Sequence, residues 1–266
     1  MHSVTTPGTT GVCSTSGRQS LRPSGAQTFT QQPDPFAGVR VLLLDGVGLS
    51  RGVASVRLSL GLQRLLAFLA LAGRAVRRDL VAGTLWPEVS EQRAHMCLRA
   101  ALARLARRSP GVLRADALDV VLAAGVSVDL DDARLPARRL LTEPGAVSAW
   151  EAAAAVAGLS LELLPGWYED WALLAAEDWR QLRLHALEAA AHVLASAGRF
   201  GEAVAAARAA VAADPLRESP RAALIAVHLA EGNQSEAVRE FACYRQQLGA
   251  GLGLEPTGRL RALLPA

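Results

Sequence analysis

Residues 90–108 read SEQRAHMCLRAALARLARR, and this stretch decides the fold that the sequence predicts. With Leu98 at the centre of a buried face, Ala94, Ala101, Leu102 and Leu105 fall beside it, which is helical spacing and not strand spacing. The helix would be about 28 Å long at ~1.5 Å per residue. The other side of this helix is largely polar and basic. Arg93, Met96, Ala100, Ala103 and Arg107 lie on that side, Arg99 and Arg104 flank it, and Gln92 lies near it.

This helix is strongly basic. It has five arginines and one acid, Glu91. Guanidinium groups reach phosphates and guanine edges, so the pattern is typical of a helix that reads duplex DNA. A solvated surface helix has the same pattern, and the stretch alone does not separate the two interpretations.

The composition sets broad limits on function. The chain of 266 residues has a net charge of +3, and all 28 of its basic residues are arginine. Residues 39–132 have a net charge of +4 and residues 133–266 of −2, which weakly favours nucleic acid as a partner of the first segment. Cys13, Cys97 and Cys243 are too far apart for a disulfide framework or a metal site. We expect a cytoplasmic, nucleoid-associated protein without a secretory signal or membrane span.

The surroundings of the basic helix predict its fold. Short strands are expected at 39–44, 49–51 and 55–58 in a small antiparallel sheet, followed by helices at 62–72, 77–85 and 90–108. Ser90 is the expected N-cap acceptor of the third helix. A hairpin of strands 112–114 and 118–123 follows, and then a strand at 126–130. Three helices followed by a hairpin predict a winged helix-turn-helix over residues 38–131, after a disordered leader at 1–37.

The remainder, residues 132–266, contains an internal repeat. The sequence Gly198-Arg-Phe-Gly-Glu-Ala-Val recurs as Gly232-Asn-Gln-Ser-Glu-Ala-Val, an offset of 34 residues. This period is that of tetratricopeptide repeats. We expect helix pairs at 177–197 with 200–213 and at 217–231 with 234–248, a capping pair at 147–157 and 161–164, and a closing helix at 260–264. The fold class is therefore a winged helix-turn-helix of α+β type followed by an all-α tetratricopeptide-like domain, mainly α overall.

The sequence gives little sign of catalysis. Its histidines form no metal-ligand motif, and it has no glycine-rich nucleotide loop, so we predict no catalytic site, metal or cofactor. The segment around Trp167, Tyr168 and Trp171 is rich in aromatic residues. It is either a packed turn that anchors the repeats or a partner-docking or interdomain contact.

Several motifs resemble one known family along residues 39–264. The matching stretches are Gln63-Arg-Leu-Leu-Ala, Leu85-Trp-Pro, Ser90-Glu-x-Arg-Ala, Leu98-Arg-x-Ala-Leu-x-Arg-Leu, Gly125-Val-Ser-Val-Asp-Leu-Asp, Leu164-Pro-Gly-Trp-Tyr-x-Asp-Trp, Arg180-Gln-Leu-Arg, Asp214-Pro-Leu-Arg-Glu-Ser and Leu254-Glu-Pro. They resemble the Streptomyces antibiotic regulatory proteins. In their short form, these activators join an OmpR/PhoB-type winged helix, like the output domain of a two-component system, to a bacterial transcriptional activation domain.

The resemblance implies a pathway-specific activator of an antibiotic or other secondary-metabolite cluster. It would bind direct repeats of double-stranded promoter DNA, as a monomer or a homodimer, and contact RNA polymerase holoenzyme. The family often has Arg, Ala and Asn where this chain has His95, Met96 and Cys97. The predicted wing is acidic, and Arg114 is its one basic residue. The alternative hypothesis is a tetratricopeptide adaptor that binds peptides and has no specific affinity for DNA.

The candidate DNA contacts take different roles. Arg93 and Arg99 are the expected main contacts, with Gln92 and Met96 near base edges and His95 beside them. Arg104 and Arg107 would lie nearer phosphates. Arg77, Arg78 and Arg114 are flanking phosphate candidates.

Overall fold

The computed structural model describes residues 38–264. The leader predicted at residues 1–37 lies outside the described residues. In chain order the elements are β1 (Val39–Leu42), β2 (Gly48–Arg51), β3 (Ala54–Ser55), α1 (Leu60–Ala72), β4 (Val76–Arg77), α2 (Arg78–Leu85), α3 (Glu91–Arg108), β5 (Leu113–Ala115), β6 (Asp119–Leu122), β7 (Ser127–Val128), α4 (Asp129–Thr142), a 3-10 turn (Pro144–Ala146), α5 (Ala149–Leu159), α6 (Asp170–Ser196), α7 (Phe200–Ala213), α8 (Glu218–Ala230), α9 (Gln234–Leu252) and α10 (Gly258–Arg261).

The first sheet has the strand order β3-β2-β1-β7. β1, β2 and β3 pair antiparallel in that order, as predicted, and β7 joins β1 in parallel as a fourth strand that was not expected in this sheet. The strand predicted at 126–130 is also shorter than expected. It ends at Val128 because Asp129 starts α4 and turns its carboxylate back to the backbone of Leu43 and Leu44.

Three helices follow this sheet, and α1 is the one that packs against it. α1 is central and buries Leu62, Leu65, Leu66 and Leu69, as its apolar sequence predicts. It ends at Gly73, whose backbone has a left-handed φ of 60°, a conformation that glycine adopts without a Cβ clash. α2 and α3 pack against each other and against α1. This is the expected tri-helical core.

The predicted hairpin is present, and its two strands belong to a second, three-stranded sheet with the order β4-β6-β5. β5 and β6 pair antiparallel and make the wing. β4 adds a third strand, because Val76 and Arg77 pair with Val120 and Asp119. Arg77 was expected at the start of a helix; it lies in this strand, and α2 begins one residue later.

The second part of the chain is helical. The 34-residue period is confirmed in the backbone: α6 and α8 each end at a left-handed glycine, Gly198 with φ 73° and Gly232 with φ 84°, before α7 and α9 begin. α6 is longer than predicted and starts at Asp170. The expected boundary between residues 131 and 132 falls inside α4.

Residues 161–164 were predicted as the second helix of a capping pair, and this was wrong. They run along the end of β1, where Leu163 forms a bridge with Leu44 and the Leu164 N–H donates to the Leu43 carbonyl at 3.0 Å. The buried Trp179 of α6 fixes this segment, because its Nε1 donates to the Leu161 carbonyl at 3.0 Å. Long-range pairing therefore takes the place of a local helix.

One hydrophobic core continues from the first sheet through α8. Polar contacts reinforce the join between the two parts of the chain. The Asp129 oxygens accept the Leu43 and Leu44 N–H groups at 2.9 and 3.1 Å, and Arg64 Nε lies 2.9 Å from Glu169 Oε1. The winged part is thus packed firmly onto the helical part.

The start of α5 gives a testable pH effect. Glu151 and Ser148 form a capping box, and hydrogen bonds from the Ser148 backbone N–H, the Ser148 hydroxyl and Arg139 lower the pKa of Glu151 from 4.5 to about 2. The resulting stabilisation is present above the unfolded-state pKa and is lost as the pH falls towards 2. Glu151→Gln should therefore unfold at lower urea than the wild type at about pH 6, and the difference should shrink at about pH 3. An equal difference at both pH values would contradict the assignment.

Candidate DNA-binding interface

α3 is held by one face and presents the other to solvent. Ala94, Leu98, Ala101 and Leu105 are buried, at the positions that its helical spacing predicted. Ser90 has the extended backbone of an N-cap, but its side chain makes no capping hydrogen bond, so that part of the prediction was wrong.

The exposed face of α3 brings most of the candidate residues together. Arg93, Arg99, Arg104 and Arg107 are exposed, and within residues 38–264 none of them has a carboxylate within 4.0 Å. Gln92 is also exposed, and Met96 is 48% exposed. Four cations without internal partners on one helix face form a surface that attracts a polyanion.

His95 lies apart from this face. Its ring is half-buried towards α2, with Nε2 3.5 Å from Asp79 Oδ1 and 4.0 Å from Glu91 Oε1. Arg77 approaches the same Asp79 at 3.5 Å. His95 and Arg77 were both candidate DNA contacts, and the structure places both beside Asp79 of α2.

Arg78 joins α2 to the tip of the wing. Its Nη1 donates to the Asp116 carbonyl at 2.7 Å, and its backbone N–H donates to the Leu118 carbonyl at 2.8 Å. The Asp116 carboxylate accepts the N–H groups of Asp119 and Leu118, both at 2.8 Å, and these bonds lower the pKa of Asp116. The wing turn is thus fixed by a carboxylate that stays ionised. Arg114 is exposed on β5.

A groove of about 380 Å³ separates α3 from the wing. Arg78 and Arg99 are its two charged lining residues, and Ala103, Ala106 and Leu113 contribute apolar surface. The structure therefore brings one residue predicted as a main contact close to one predicted as a flanking contact.

Two further arginines hold the end of α3, and sequence reasoning missed this role. Arg108 Nη1 donates to the Arg57 carbonyl at 3.1 Å. Arg51 Nη2 donates to the Pro110 carbonyl at 3.3 Å and to the buried Ser109 hydroxyl at 3.4 Å. These contacts join residues more than 50 positions apart, so no local pattern indicates them.

The aromatic segment divides between two roles. Trp171 packs edge-to-face on Phe68 of α1 at 5.4 Å and on Trp167 at 5.9 Å, which makes the tryptophans part of the contact between the two parts of the chain. Tyr168 is 82% exposed. A partner-binding role stays a prediction, and Tyr168 is the member of the segment whose ring is free for it.

The model of the bacterial transcriptional activator domain matches residues 114–266, more than half of the chain. The chain belongs to this family. It is also 31% identical over 152 residues to Regulatory protein AfsR of Streptomyces griseus. The matched region covers 55% of this chain and 14% of AfsR. The resemblance to the Streptomyces antibiotic regulatory proteins is thereby confirmed, and the family is one of transcriptional regulators and not of enzymes.

A solved structure shares the fold. Mycobacterium tuberculosis EmbR, determined in complex with a low-affinity phosphopeptide, matches with a TM-score of 0.64 and 20% identity over 86% of this chain and 66% of its own. This confirms the predicted fold class of a winged helix-turn-helix followed by an all-α domain. The chain spans less than two thirds of the length of either protein.

The described part of the chain holds no group of three His, Cys, Asp or Glu side chains that could bind a metal ion. Among the same residues, no helix is both long and apolar enough to cross a membrane.

Proposed function

We propose that this chain is a sequence-specific DNA-binding transcriptional activator, pathway-specific for a secondary-metabolite cluster. α3 enters the major groove of promoter direct repeats, and the helical domain recruits RNA polymerase holoenzyme. The observation that carries the proposal is the row of exposed arginines on α3, which have no acidic partner within 4.0 Å among residues 38–264. We place the boundary between the DNA-binding and activation domains at the start of α4.

We assign an individual role to each candidate residue. Arg93 and Arg99 take the main contacts, with Gln92 and Met96 near base edges, and Arg104 and Arg107 bind phosphates. Arg78 lies at the wing groove and serves a flanking phosphate. His95 and Arg77 act at the margin of the interface, because both lie 3.5 Å from the Asp79 carboxylate, which repels phosphate.

The test is duplex binding as a function of salt, followed by footprinting upstream of the neighbouring genes. A specific activator should protect direct repeats, and its affinity should fall steeply with salt because each phosphate contact releases counterions. An adaptor built on the tetratricopeptide-like repeats should give no footprint and no salt-dependent binding. That second outcome would reject the proposal in favour of the adaptor.

The acidic wing predicts a gain of affinity on substitution. Leu118 is 61% exposed at the wing tip beside Asp116 and Asp119. Leu118→Arg should tighten duplex binding several-fold at low salt. It should also raise the number of counterions released on binding by about one, which makes affinity fall more steeply with salt. Leu135→Arg, at a 66% exposed leucine on α4, is the matched control and should change neither. Equal effects of the two variants would show that the wing does not approach DNA.

A further inference from the structure

A cleft of about 660 Å³ lies between the first sheet and helices α4 and α5. Its walls are mostly apolar. They include Leu42, Leu44, Val47, Pro136, Ala154 and Leu161. Sites for small molecules have this character, occur preferentially between domains and typically measure roughly 300–1,000 Å³. We call this space the interdomain cleft; it lies on elements other than α3 and the wing.

The charges around the interdomain cleft are unbalanced. Asp45, Asp129 and Asp132 line it together with one cation, Arg40. Arg40 is already paired, since its Nη2 lies 2.7 Å from Asp132 Oδ2 at a solvent-exposed position. The lining therefore carries a net charge of −2, which favours a cationic ligand and disfavours an anionic one.

Asp129 adds to the effect of this excess negative charge, because its carboxylate is buried. It is 8% exposed, and within residues 38–264 no arginine or histidine nitrogen lies within 4.0 Å of its carboxylate. Its oxygens accept the N–H groups of Leu43 and Leu44, and burial raises the pKa of Asp129 in spite of these bonds and of the more distant charge of Arg40. A buried carboxylate that has no cation in contact with it is stabilised by a cation that enters its surroundings.

We propose that the interdomain cleft binds a small hydrophobic ammonium compound. Its apolar body packs against Leu44, Pro136 and Ala154, and its ammonium group lies among the aspartates. This inference goes beyond the proposed function and does not depend on DNA binding.

The test uses the whole chain and three probes with the same tail, octylammonium, octanol and octanoate, in isothermal titration calorimetry at neutral pH. Octylammonium should bind with a stoichiometry of one. Octanol and octanoate should bind at least about tenfold more weakly, because neither carries a positive charge. Absence of octylammonium binding, or equal affinities for octylammonium and octanoate, would overturn the proposal.

A pair of variants on one helix locates the site. Ala154 and Ala157 are both exposed on α5, but Ala154 lines the cleft and Ala157 does not. Ala154→Trp should fill the cleft and weaken octylammonium binding at least about tenfold, whereas Ala157→Trp should leave it unchanged. Circular dichroism and the melting temperature verify that each variant is folded. Equal binding by the two folded variants would place the probe elsewhere and refute the assignment.

Discussion

Replacing Arg221 with methionine is expected to lower the free energy of unfolding by about 3–5 kcal/mol, the usual cost of removing one partner of a buried ion pair. Arg221 lies on α8 and is 5% exposed. Its Nη1 donates to Glu240 Oε2 at 3.0 Å and its Nη2 to Gln247 Oε1 at 2.5 Å, so it joins α8 to two positions along α9. Its guanidinium also lies 5.7 Å from the centre of the Tyr244 ring. Methionine fills much of the space but leaves Glu240 without this partner.

Urea denaturation of the whole chain measures the effect. Arg239→Met is the matched control, because Arg239 is 74% exposed and pairs with Glu236 on its own helix. It should change the free energy of unfolding by less than about 0.5 kcal/mol. The double variant Arg221→Met, Glu240→Leu should regain part of the loss, since it also removes the Glu240 carboxylate, which would otherwise keep only the longer contact to Arg208 Nη2 at 3.8 Å. A loss below about 1 kcal/mol for Arg221→Met would show that the pair is solvated.

The elements that the sequence predicted well are those with local, periodic signals. α1 and α3 carry apolar residues at helical spacing, and the burial of Leu98 and Leu105 follows from that spacing alone. The 34-residue period likewise needs no tertiary information, because each repeat contains the same Gly turn and Glu-Ala-Val start.

The elements that the sequence missed depend on long-range partners. β7 pairs with β1 across more than 80 residues, and only that pairing explains why the chain turns into α4 at Asp129. Residues 161–164 have helix-forming leucines, but the end of β1 offers hydrogen bonds that override this preference. Propensity is a weak signal where tertiary contacts compete with it.

The candidate site shows the same division. Spacing on one helix correctly placed Arg93, Arg99, Arg104 and Arg107 on a single exposed face. It could not show that His95 turns towards Asp79, since Asp79 lies on another helix. Nor could it show that Arg108, which has the same charge as its neighbour Arg107, donates to the Arg57 carbonyl and helps to hold the end of α3.

Replacing Arg93 and Arg99 together with alanine is expected to weaken binding to the promoter repeats by about 2–6 kcal/mol, because a bidentate arginine contact contributes roughly 1–3 kcal/mol. This corresponds to a loss of roughly 30-fold to about 20,000-fold. Neither side chain has a carboxylate within 4.0 Å in the described residues, so their removal strands no internal acid and the fold should be unaffected.

Fluorescence anisotropy with the footprinted duplex and with a scrambled duplex measures the change. The control removes the same charge elsewhere: Arg138→Ala, Arg259→Ala takes two exposed arginines from the helical part of the chain. Because screening confines the influence of a distant charge, the control should lose far less affinity. If Arg93 and Arg99 read bases, the double variant should lose more affinity for the promoter duplex than for the scrambled one. If they bind phosphates, the affinity for both duplexes should fall equally. The slope of log affinity against log salt concentration should then decrease in magnitude by about two. Equal losses in the double variant and its control would mean that α3 contributes only net charge and is not the helix that enters the groove.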